Sequence, residues 1–162
     1  MVGGTAGAPV QVLAALGSQR QQPEAGPTIQ VTPPDTPSRG AGLSSLAGYG
    51  LLPSPVRITV KAGRAVDADT DVGRWLLETL DSGGDHGRSL AELGIGTNPA
   101  ATLTGNVLED EKVIGTAHIA FGTSAGLGGV NVAGVHIDGV LLRATVEVDG
   151  ERLLDHGDLL VA

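Results

Sequence analysis

Two histidines and an aspartate carry the strongest chemical signal in this sequence. His136 and Asp138 flank one apolar residue in HID, and His118 stands eighteen positions upstream in TAHIAFG. Alternate residues of a strand point to the same side, so His136 and Asp138 project together while Ile137 enters the apolar layer opposite. TAHIAFG also reads as a strand, and a neighbouring strand can deliver His118 to the same point. Two imidazoles and one carboxylate leave coordination positions open, a pattern that suits hydrolytic zinc or non-haem iron. The same spacing also suits a histidine paired with an aspartate at a surface or core edge, and spacing alone leaves both readings open.

Further acids stand close by in the chain. Glu92 in SLAELGIGTN is a carboxylate on a short apolar segment that runs into a Gly-Ile-Gly turn. Such a group is costly to bury unless it is charge-paired, hydrogen-bonded or metal-bound, and otherwise belongs on the solvent face of an alternating strand. Glu109, Asp110, Glu111 and Lys112 run directly before the His118 strand. As a solvated helical turn most of them need no function, while Glu111 is the member best placed to act as a general base or to orient a histidine. His86 in GGDHGR and His156 in DHGD read as exposed turn residues. Arg88, Arg143 and Lys112 could hold a substrate carboxylate or neutralise nearby acids.

The elements that must position these residues follow from pattern and composition. At 162 residues the chain suits one domain with its own core. Residues 1–45 are rich in Pro, Gln, Gly, Ser and Thr and read as irregular, with a short helix over Ala8 to Leu16 and a short strand over Thr28 to Thr32. Residues 46–162 then form the metal-binding domain. In it VRITV, KAGR and AVDAD read as a hairpin, and Asp149-Gly150 marks another. Val72, Trp75, Leu76 and Leu80 recur at helical spacing, with Asp69 or Thr70 as N-cap and Gly83-Gly84 as a stop, which predicts a helix from Asp71 to Ser82. The expected fold is α+β, dominated by antiparallel strands that partly close as a barrel, with one or two peripheral helices.

Composition also narrows the chemistry. The net charge of -8 and the absence of a Lys/Arg cluster argue against nucleic acid. With no cysteine, any metal must sit on His, Asp, Glu, backbone oxygen or water. No apolar run is long enough for a membrane helix and the first residues lack a basic signal stretch, so the expectation is a cytoplasmic protein with no membrane partner. Short strands must protect their edges, which points to a homo-oligomer.

The stretch AELGIGTNPAATLTGNVLEDEKVIGTAHIAFG, followed by GVHIDGV and TVEVDGE, resembles the C-terminal part of the metallo-aminopeptidase family that includes aminopeptidases T and S. The resemblance runs from about Gly42 onward and rests on the ordered series ELGIGTN, DEK, HxAFG and HxD. It implies a mainly β domain that holds two divalent ions, zinc or cobalt, and removes N-terminal residues from peptides. Glu92 would be the carboxylate shared between the metals, with His118, His136 and Asp138 as the other recognisable ligands. The sequence departs from that pattern in three places. The family's large N-terminal α/β domain has no counterpart here, and a further metal-binding glutamate expected near Gly26 is matched only by Glu24, two residues away. A tyrosine expected shortly after the HxAFG histidine is missing from TSAGLGG. The same superfamily resembles dihydroxypyridine dioxygenase, which implies an alternative with a single Fe(II) on His118, His136 and Asp138 and with Glu92 or Glu111 in supporting roles. Under either reading the partner is a peptide or another small substrate. A third reading is a truncated, non-catalytic binding module.

Overall fold

Short runs of Val, Ile, Leu and Ala interrupted by glycine build strands over nearly half of the described residues. The computed structural model describes residues 42–160 and the backbone of two short strands at 10–12 and 29–32. In chain order the strands are β1 (Val10–Val12), β2 (Ile29–Thr32), β3 (Leu43–Leu46), β4 (Gly50–Val56), β5 (Ile58–Lys61) and β6 (Arg64–Ala68). After helix α1 (Asp71–Asp81) come β7 (Leu90–Ile95), the short helix α2 (Val107–Asp110), β8 (Thr116–Gly122) and β9 (His136–Leu142). The chain ends in β10 (Thr145–Val148), β11 (Glu151–Asp155) and β12 (Asp158–Leu159).

These strands form two five-stranded sheets, ordered β4-β3-β9-β8-β7 and β1-β2-β10-β11-β12, with β5 and β6 as a separate hairpin. Neighbours in all three are antiparallel. The fold is therefore α+β and mainly antiparallel. Neither sheet closes on itself, so the expected partial barrel does not form. One reason lies in β4, an edge strand whose Pro53 and Pro55 have no N–H to offer a further neighbour.

β8 is buried along its whole length because both of its faces are covered. Its Ala117, Ile119 and Phe121 join Ile137 and Leu141 of β9, together with Leu43, Val56, Leu76 and Leu80, in one apolar core. Its other face carries Thr116, His118 and Ala120. A central strand that is apolar on one side and carries polar side chains on the other can hold those side chains rigidly.

Helix α1 begins at Thr70, whose hydroxyl oxygen accepts the Gly73 N–H at 3.0 Å. Leu76, Leu77 and Leu80 face the core, and Trp75 meets Tyr49 with ring centroids 5.6 Å apart. The hairpins predicted around KAGR and at Asp149-Gly150 are present as β5–β6 and β10–β11. β2 occupies the strand expected at Thr28 to Thr32, and β1 stands within the stretch Ala8 to Leu16 where a short helix was expected.

Two local expectations are overturned. Gly94 and Ile95 continue β7 and make no turn, because β8 pairs with them in register. The run from Glu109 to Lys112 is not a solvated turn, since Asp110 and Glu111 are both buried.

Candidate metal centre

The register of three adjacent strands brings the predicted residues together. Glu92 of β7 pairs with Ala120 of β8, which pairs in turn with Asp138 of β9. One step along, His136 faces Gly122, and one step the other way His118 faces both Gly94 and Val140. Directly opposed residues share a face, so Glu92, His118, His136 and Asp138 all rise from the same side of the sheet. Ala120 and Gly122 form the floor between them. With at most a methyl group each, they leave the space that the longer side chains lean into.

His136 Nε2 lies 3.3 Å from Glu92 Oε2 and 3.4 Å from Asp138 Oδ1. These three residues each offer a ligand atom within 4.8 Å of the others. Bonds of about 2.0–2.2 Å to one ion set neighbouring ligand atoms roughly 3–3.5 Å apart, which the observed spacings match. The other oxygen of Glu92, Oε1, lies 3.3 Å from His118 Nε2. His118 thus reaches the cluster through Glu92 and stands outside the three-donor group.

Each imidazole is held in its own way. His136 Nδ1 is 2.7 Å from the carbonyl of Thr123. A carbonyl only accepts, so Nδ1 carries the hydrogen and Nε2 is the atom aimed at the acids. Burial works against a charged His136, but the Thr123 carbonyl and the Asp138 and Glu92 carboxylates outweigh it and raise its pKa above the ordinary 6.5. That shift favours a proton on Nε2, the atom that faces Glu92 and Asp138.

His118 is seated differently, in a notch of β7. A β-carbon on Gly94 would lie 3.0 Å from His118 Nδ1 and closer still to Cε1 and Nε2. Only glycine leaves room for the ring there. His118 Nδ1 is buried and has no hydrogen-bond partner among the described residues.

The acids are crowded. Burial raises the Asp138 carboxyl above its ordinary 3.8; His136 and His118 oppose that shift, while Glu111 and Glu92 add to it. Glu111, predicted as a general base, stands beside this group at the end of α2, buried and paired with Lys112. Lys112 is exposed, and its pKa is raised first by the hydrogen bond to Glu111 and further by the charges of Glu92 and Asp138. Crowded carboxylates and a histidine whose Nδ1 is fixed on the Thr123 carbonyl form a donor set that fits a divalent cation.

The remaining candidates lie elsewhere. Arg88 makes a two-pronged pair with Asp81 at 2.6 and 2.5 Å. His86 is 3.5 Å from the Ser89 hydroxyl, and His156 is 3.9 Å from Asp155. Arg143 occupies a positive-φ position after β9. Glu24 and Gly26 lie outside the described residues. The sequence reading missed two contributors: the Thr123 carbonyl and Gly94. Gly94 could have been found, because in a strand it shares a face with Glu92 two residues earlier. A backbone carbonyl carries no signal in residue type.

No protein-family model matches the chain, and no curated protein sequence does. Among solved structures it resembles 2,5-dihydroxypyridine dioxygenase from Pseudomonas putida KT2440, with a TM-score of 0.63 and 16% identity over 85% of this chain and 44% of that one. It also resembles wild-type AmpT from Thermus thermophilus, with a TM-score of 0.56 and 21% identity over 83% of this chain and 39% of that one. The chain spans less than half the length of either. At these identities the likeness is one of fold, a distant structural relationship.

Proposed function

We propose that the chain is a metal-dependent hydrolase of aminopeptidase-like type that holds zinc or cobalt on Glu92, His136 and Asp138. The observation that carries this reading is the convergence of those three donors on a floor of Ala120 and Gly122. The two oxygens of Glu92 face different imidazoles, His118 and His136, as a carboxylate shared between two ligand positions would. The fold shared with AmpT supports the same class.

When bound, such an ion polarises a carbonyl and lowers the pKa of water toward neutrality. The rest is the work of side chains. Thr123 fixes the His136 ring, and Gly94 fixes the His118 ring against Glu92. Glu111, beside Asp138, accepts the proton of the attacking water and can return it to a leaving amine. Lys112 holds Glu111 in place and presents the exposed positive charge nearest to it, which suits a substrate carbonyl or carboxylate.

The test is metal content per chain after zinc or cobalt loading, followed by release of free amino acids from short peptides. Bound metal with peptide hydrolysis supports the proposal; bound metal without hydrolysis overturns the peptidase assignment. A second reading has its own support, because the three-donor group is compact enough for one ion and the fold is shared with a dioxygenase. In that reading a single Fe(II) sits on one imidazole and two carboxylates. Oxygen uptake after anaerobic iron loading, tried first with 2,5-dihydroxypyridine, separates it from the hydrolase.

A further inference from the structure

Asp110 is fully buried, yet nothing in the proposed chemistry uses it. Its carboxylate is surrounded by donors. Oδ2 accepts the Ser45 hydroxyl at 2.6 Å and the Gly105 N–H at 3.1 Å, while Oδ1 accepts the Thr104 N–H at 2.7 Å. The Thr104 hydroxyl adds a longer contact at 3.4 Å. Burying a carboxylate is costly, and a set of donors this complete indicates that its position matters.

The donors tie three pieces of chain together. Thr104 and Gly105 belong to the loop that leads into α2, whereas Ser45 belongs to β3. Ser45 is paired with Val140 of β9, and Ala47 donates its N–H to the Asp138 carbonyl at 2.9 Å. β3 is therefore hydrogen-bonded to the same strand that carries His136 and Asp138. Paired side chains share a face, so Ser45 lies on the face that presents the metal donors. Asp110 fastens α2 onto that face, where α2 packs against β9 and the charge of the next residue, Glu111, acts on Asp138.

A four-residue helix has no stability of its own, so tertiary contacts must set its place. The Asn106 cap, which accepts the Leu108 N–H at 3.2 Å, shapes the turn but does not attach it to the sheet. Ser45 does. We infer that Asp110 is a positioning residue, which through Ser45 sets the Glu111–Lys112 pair over the metal donors. Its purpose rests on the metal reading above, but the positioning can be measured without metal.

The chain has two lysines, Lys61 on β5 and Lys112 at the site, and both are exposed. Brief acetylation of metal-free protein, read by mass spectrometry, gives a Lys112-to-Lys61 ratio in which Lys61 controls for reagent dose, while circular dichroism controls for global unfolding. Glu111→Gln removes the ion pair and should raise the ratio about threefold. Asp110→Asn should raise it to a similar extent with the Lys61 rate unchanged, and so should Ser45→Ala, which tests the same tether should the first variant fail to fold. Zinc affinity, measured by competition with a chromophoric chelator, should fall about tenfold in Asp110→Asn. The Asp110→Asn/Glu111→Gln double variant should bind no more weakly than Glu111→Gln alone, because a displaced Glu111 and a removed one are equivalent. A wild-type ratio in both tether variants, alongside a raised ratio in Glu111→Gln, overturns the inference. So do additive losses of zinc affinity. If wild-type protein binds no zinc, the metal reading falls, and the acetylation ratio alone decides whether Asp110 positions the pair.

Discussion

Replacing Gly94 by alanine adds one methyl group where β7 passes beneath the His118 ring. That carbon would meet Nδ1 at 3.0 Å and two other ring atoms more closely. Carbon atoms in contact sit about 3.5–4.0 Å apart, so the ring must retreat by roughly an ångström or more. It has little room to do so, because His118 is 6% exposed on a fully buried strand. Overpacking of this kind costs about 1–3 kcal/mol. The retreat also breaks the 3.3 Å contact between His118 and Glu92, and a buried hydrogen bond left unmade costs about 1–3 kcal/mol. The two losses overlap, which gives roughly 2–4 kcal/mol in all and a fall in Tm of roughly 5–15 °C. Urea denaturation of metal-free protein measures the first quantity, with an unchanged m-value as the sign that the denatured state is unaffected. Zinc affinity should fall in the same variant, since Glu92 loses its support on one side. A Gly94→Ala protein with wild-type midpoint and wild-type affinity would refute the seating of His118 and the role given to Gly94.

Three further outcomes follow from the structure. Zinc retention should fall as pH drops through the raised His136 pKa, because the proton on Nε2 takes the place of the ion; equal zinc content at about pH 5 and pH 8 would count against this. In metal-free protein stability runs the other way with pH, and both groups act with the same sign: the His136 contribution is full below its unfolded value of about 6.5 and is lost as pH rises through the higher folded pKa, and the raised Asp138 likewise lowers stability as pH rises from about 3.8 through its folded pKa. Thr70→Ala should remove the α1 cap and about 1 kcal/mol of stability by urea denaturation, with zinc affinity unchanged because α1 packs on the apolar side of the sheet.

Much of the site was legible because a strand alternates with period two. HID declared that His136 and Asp138 share a face, and the apolar residues of TAHIAFG declared β8. The helix at Asp71–Asp81 was legible from its spacing and its Thr70 cap. The run from Glu109 to Lys112 misled, since adjacent charges ordinarily mark a solvated surface. Asp110 is buried because Ser45, 65 residues away in sequence, and the Thr104 and Gly105 amides supply its hydrogen bonds. No local pattern announces donors that arrive from another strand. The expected barrel misled as well: strand number and alternation are local, whereas closure depends on whether the edge strands meet.

The sequence by itself determined which residues could bind a metal and which of them share a strand face, because side-chain chemistry and backbone period are local properties. Tertiary structure decided which donors meet. It set Glu92 beside His136 and Asp138 through the shared partner Ala120, placed His118 on the far oxygen of Glu92 over Gly94, and turned His136 by means of the Thr123 carbonyl. The physical reason is register. Sliding β7 by one residue against β8 would leave every residue type in place and turn Glu92 away from the cluster to the other face.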